Sequence, residues 1–221
     1  MEHHMLLVYA HLLLFAYWLA PDWGVYVNSA YVARADLPVA ERKRFLQAAL
    51  RIDLVPRSCL ILLLPLGLQL ATNLHLVPLQ GWPMGVIWTA ALIWLLMSWT
   101  IHRHHATALG QSLRRFDHGL RFLLAVILIA WGVWSLTTDD GVPVAWLATK
   151  LIGFGTLLLL GLLLRRVMGG WAAGFARLEA EGSSAQTEAI FAGALRRAKP
   201  IVYLFWLNSA GMAALGLLKP F

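Results

Sequence analysis

Six long apolar runs, each close to the length of a membrane-spanning helix, constrain this chain more than anything else in it. They are Met5 to Val32, Cys59 to Leu76, Met84 to Ile101, Phe122 to Leu136, Val144 to Leu164 and Ile201 to Leu218, the fourth being the shortest. A bilayer core asks for ~20 apolar residues per helix, and in hydrocarbon each backbone N–H and C=O must find its partner within the spanning element. The predicted fold is therefore all-α, a polytopic transmembrane bundle of about six spanning helices, with residues 1–221 forming one transmembrane domain. Composition leaves no soluble alternative: 60% of the 221 residues are hydrophobic and 13% charged, and mean hydropathy is +0.68. Too little polar surface remains to cover a soluble domain. The lipid bilayer is the first expected partner.

The basic residues orient the bundle. Arg34, Arg42, Lys43, Arg44, Arg51 and Arg57 fall between the first two runs; Arg103, Arg114, Arg115 and Arg121 between the third and fourth; Arg165, Arg166, Arg177, Arg196, Arg197 and Lys199 between the fifth and sixth. Positive loops stay cytoplasmic, so 33–57, 102–121 and 165–199 are expected inside and both termini outside. The net charge of +7 is thus a topology signal, with no support for a nucleic-acid role. The expected location is the bacterial inner membrane. The first run has neither a basic n-region nor a small-residue cleavage site and reads as a retained span, not a signal peptide. The single cysteine, Cys59, allows no intramolecular disulfide and reads as a small apolar filler. Two cytoplasmic stretches carry structure of their own. Asp36 to Asp53, with Phe45, Leu46, Ala49 and Leu50 at helical spacing, predicts an amphipathic interfacial helix. Arg165 to Arg197, with Trp171, Phe175 and Leu178 on one side and a break at Glu181-Gly-Ser-Ser, predicts a helical hairpin.

Ionisable residues inside the runs mark the chemistry. An intramembrane charge is costly and faces the bundle interior, so it is a functional candidate by default. His11 and Lys150 each lie about 9 Å below the outer end of their span at a helical rise of 1.5 Å per residue, and so share one depth. His11, Phe15, Trp18 and Asp22 form one stripe of the first helix, and Trp146, Lys150, Gly153 and Leu157 a comparable stripe of the fifth. Gly153 and Gly155 leave room for another helix or for a flat ligand. The alternative is structural, a His bonded between helices and a Lys reaching for the interface. Asp22, near the inner boundary, is expected to pair with Arg51 or Arg57 and lock the first two spans, proton transfer being the other reading. The run His102, Arg103, His104, His105, with His118 beyond, reads as interfacial and solvated, since no second His-rich box accompanies it. His75 closes the second span on the outer side, in the neighbourhood expected for His11.

These residues carry a resemblance. An early helix with His followed by Trp and Gly, here His11 to Gly24, a basic loop into a Pro-containing second span, here Arg51 to Leu70, and a late W-L-x-x-K-L helix ending in basic residues, here Trp146 to Arg166, resemble the HemJ and CopD-like family of small bacterial membrane proteins. The similarity covers roughly residues 5–76 and 144–166. It implies heme b held inside the bundle, with His11 as axial metal ligand, Lys150 as catalytic and cofactor-binding companion, and a redox role such as oxidation of a porphyrinogen. Trp18, Trp146 and His75 are the further cofactor-binding candidates, and Lys150, His75 and Met212 are open as second ligand. A porphyrin or quinone-like small molecule is the expected partner, and a homo-oligomer is open. Copper handling of CopD type, through His3, His4, His11 and His75, is the second class of function; a noncatalytic membrane subunit is the third.

Overall fold

The computed structural model describes residues 2–138 and 140–219, and every regular element among them is a helix: α1 (Glu2–Val32), α2 (Val39–Ile52), α3 (Leu54–Asn73), α4 (Trp82–Arg103), α5 (Ala108–Thr137), α6 (Ala145–Met168), α7 (Trp171–Glu181) and α8 (Ala185–Leu218). Six of these, α1, α3, α4, α5, α6 and α8, hold stretches long and apolar enough to cross a membrane. An even number leaves both ends of the bundle on one side. The chain is an integral, multi-pass membrane protein.

The spanning helices close a ring. Each packs on the next in chain order, α1 on α3, then α4, α5, α6 and α8, and α8 returns to α1 across the sparsest of these seams. Large aliphatics fill the middle: Ile61 of α3 and Leu157 and Leu158 of α6 are fully buried. Leu12, Leu96, Leu123 and Leu207 point outward and are exposed, as side chains facing hydrocarbon rather than water must be. Glycines set the tightest approaches. A methyl on Gly155 would meet the Ala125 carbonyl of α5 at 2.8 Å, and one on Gly153 would meet Met212 of α8 at 2.9 Å. Asn208 of α8 donates to the Gly153 carbonyl at 2.9 Å. Neighbouring helices thus fill the space at Gly155 and close on Gly153 from the side of Asn208 and Met212.

Two helices extend well beyond their apolar runs. α5 begins at Ala108 rather than near Phe122, and α8 at Ala185 rather than near Ile201, so most of 102–121 and 165–199 is helical. Hydropathy reports what lipid tolerates; it does not report where hydrogen bonding stops. Capping places the true starts: the Thr107 side chain accepts from Gly110 N at 3.2 Å, and Ser184 forms a capping box with Thr187. Pro21, Pro65 and Pro200 all lie within continuous helices.

The inner end carries a second, smaller core. Val32, Trp171, Phe175, Leu178, Phe191 and Ala194 are buried together, with Phe45 and Leu46 of α2 packed against them, as the two amphipathic patterns require. Leu50, expected on the same face of α2, is half exposed. Arg42 is sealed into this layer. Its Nε donates to the Val32 carbonyl at 2.8 Å, its Nη1 to Glu188 at 3.0 Å, and its guanidinium lies 4.4 Å from the Phe191 ring centroid. One side chain thereby ties α2 to the ends of α1 and α8.

Candidate functional site

In the outer half of the ring His11 and Lys150 are placed by three helices. The His11 ring lies against α3 at Gly67, where a methyl would touch Cε1 at 3.4 Å, and its Nδ1 is buried without a hydrogen-bond partner. Lys150 of α6 lies against α8 at Gly216, where a methyl would come within 2.8 Å of Nζ. Lys150 enters no ion pair among the described residues. The orphaned imidazole nitrogen thus sits at the α1–α3 contact and the unpaired ammonium at the α6–α8 contact.

The other expected site residues scatter. Trp18 is buried edge-on to Phe15 and Phe205, with centroids 5.8 and 5.6 Å away, but it lies seven residues, roughly 10 Å, further inward than His11. Trp146 faces the cation of Lys219, 5.7 Å from its centroid. His75 sits exposed in the outer turn after α3 with φ 56°, eight residues beyond the Gly67 that His11 touches, roughly 12 Å along the axis. The outer histidines are not gathered either: among the described residues, no group of three or more His, Cys, Asp or Glu is close enough to hold a metal ion.

The inner ion pair needs correction. Asp22 accepts from the Trp206 indole N–H of α8 at 2.8 Å, whereas Arg57 pairs with Asp53 one turn earlier on the same chain segment, and Arg51 is exposed. A carboxylate one helical turn away reaches Arg57 without crossing between helices, and this local pairing wins. Asp22 therefore joins α1 to α8, where Trp23, Tyr26, Tyr203 and Trp206 pack as an aromatic cluster, rather than α1 to α3.

A cavity of about 450 Å³ occupies the inner half of the ring. Its outer floor is apolar, made by Trp18, Leu60, Leu157, Leu158 and Phe205, and its wall nearer the cytoplasm carries Arg57, Arg114, Arg121, Arg165 and Trp171, together with Asp22 and Asp53. Arg121 is held by a buried i,i+4 bond to Asp117 at 2.9 Å, Asp117 also accepting from Trp94 of α4 at 2.8 Å. Sequence reasoning missed this pair, for which the D-x-x-x-R spacing was the available signal. Nor did it find the cavity, which needs seven helices to converge. A second cavity of about 450 Å³ lies between α6 and α8 around Gly153, Asn208 and Met212. Neither is lined by His11 or Lys150.

Against known proteins, the chain matches no family model, no curated protein and no solved structure.

Proposed function

We propose that this protein is a redox protein of the bacterial inner membrane that holds heme b through His11, with Lys150 as companion. The observation that carries the reading is the orphaned, buried Nδ1 of His11, with Lys150, in no ion pair among the described residues, at a similar depth on α6. A neutral imidazole nitrogen with no competing hydrogen bond is a good iron ligand, and an intramembrane ammonium without a carboxylate suits a propionate or the second axial position. The donor set fits the group; the packing asks for movement, because neither of the two cavities described above reaches His11 and the sparse seam between α1 and α8 is where the ring would part. A bound heme would supply a one-electron couple at that depth, and oxidation of a porphyrinogen is the reaction the family resemblance implies.

The protein purified in detergent is expected to show a Soret band near stoichiometry. His11→Ala abolishes it, while Lys150→Met shifts the band if the lysine ligates iron and lowers heme retention if it anchors a carboxylate. Full heme occupancy in folded, monodisperse His11→Ala protein rejects the assignment. A second reading, a noncatalytic membrane subunit, is favoured by the filled glycine contact at Gly155, and absence of any cofactor from freshly purified protein selects it. The copper reading has no gathered ligand set to support it.

A further inference from the structure

The inner cavity has an apolar floor and a wall with more donors than acceptors. Trp171 Nε1, Arg57 Nε and Arg121 Nη2 are all buried without a hydrogen-bond partner, and all three residues line this one cavity. Arg121 and Trp171 are 1% and 4% exposed, so these donors are packed away from water, and a ligand in the cavity reaches them by a turn of the side chain. Arg165, on the same wall, enters no ion pair among the described residues, while Arg114 is exposed at the rim and donates to the His105 carbonyl at 3.4 Å. The two carboxylates on the wall are already engaged, Asp53 by Arg57 and Asp22 by Trp206. Buried donors that no protein group satisfies are uncommon and call for a partner, and an uncompensated guanidinium beside them calls for an anion. Three orphan N–H groups and the unpaired Arg165 guanidinium outnumber what the two oxygens of one carboxylate accept. They match a phosphate, whose three terminal oxygens each accept more than one bond.

We propose that this cavity binds the phosphate group of an amphiphile, the phosphate held by Arg57, Arg121, Arg165 and Trp171 with Arg114 at the rim, and the apolar tail lying on the floor at Trp18. The cavity sits at the cytoplasmic end, where the basic loops place it level with inner-leaflet headgroups. The phosphate is a monoester, and comes either from a bilayer lipid of the phosphatidic acid type or from a soluble phosphate monoester that enters from the cytoplasm. The proposal is independent of heme at His11, which lies in the other half of the ring.

Native mass spectrometry of the full-length protein released from detergent tests it, by titration with dioctanoyl phosphatidic acid and, in parallel, with dioctanoyl glycerol, which has the same tails and no phosphate. The phosphatidic acid is expected to bind about tenfold more tightly, the scale of one hydrogen bond to a charged group. Arg165→Met is expected to remove most of that advantage, and Arg166→Gln, which alters a neighbour outside the cavity wall, to keep it. Trp171→Phe removes one donor while retaining the ring, and weakens phosphatidic acid binding even if the arginine variant is not recovered folded. Inorganic phosphate that displaces the lipid identifies a soluble phosphate ester as the source; phosphate that fails to displace it identifies the bilayer lipid. Equal binding of the two lipids, or unchanged phosphatidic acid binding in Trp171→Phe, overturns the proposal.

Discussion

At the scale of single residues, the same type of observation gave opposite results at His11 and Asp22. Both are polar groups in an apolar helix. His11 keeps an unpartnered nitrogen, whereas Asp22 is satisfied by a neutral donor, the Trp206 indole. A neutral partner changes what a substitution costs. Asp22→Asn retains an acceptor oxygen and is expected to leave thermal stability in detergent within about 0.5 kcal/mol, the range of a substitution that breaks nothing. Trp206→Phe and Asp22→Ala each lose the bond and are expected to cost about 1 kcal/mol. A cross-helix ion pair would instead make Asp22→Asn the damaging change, at roughly 3 to 5 kcal/mol, so comparing the two melting temperatures decides between the arrangements. His11 was legible because an imidazole stands out in an apolar run. The partner of Asp22 was not, because a residue on the sixth span is invisible to spacing along the first.

Among elements, glycine and arginine fix how the helices meet. Gly155 carries α6 against α5, with Ile129 Cγ1 and the Ala125 carbonyl inside 3 Å of an added methyl, while Gly119 of α5 has nothing within 4 Å. Gly155→Ala is expected to destabilise the bundle by about 1 to 3 kcal/mol through overpacking, and Gly119→Ala to stabilise it by up to ~1 kcal/mol through helix propensity. Thermal unfolding in one detergent checks both, and equal effects would mean that close packing at Gly155 does not matter. Arg42 plays the corresponding part at the inner layer: Arg42→Met leaves Glu188 without its buried partner and is expected to cost about 3 to 5 kcal/mol, read as earlier proteolysis between α7 and α8. The amphipathic faces of α2 and α7 were readable from apolar spacing. The extended starts of α5 and α8 were not, because charged residues there continue a helix that hydropathy treats as loop.

For the whole molecule, the ring of six spans and the basic loops make a topological prediction. Reporter tags in the Arg42 region and at Gly182 are expected in the cytoplasm and tags at either terminus outside; a cytoplasmic C-terminus contradicts the six-span bundle. The sequence by itself determined the membrane class, the number of spans and the two amphipathic helices, because these follow from how local composition partitions between lipid and water, and each segment meets that choice alone. The ring closure between α1 and α8, the partners of Asp22 and Arg57, the filling of Gly155 by α5, and the arginine-lined cavity were decided only by the tertiary structure. These depend on which faces of distant helices meet, and lipid tails are as apolar as leucine, so hydropathy alone ranks no pairing above another; shape, small residues and a few hydrogen bonds decide.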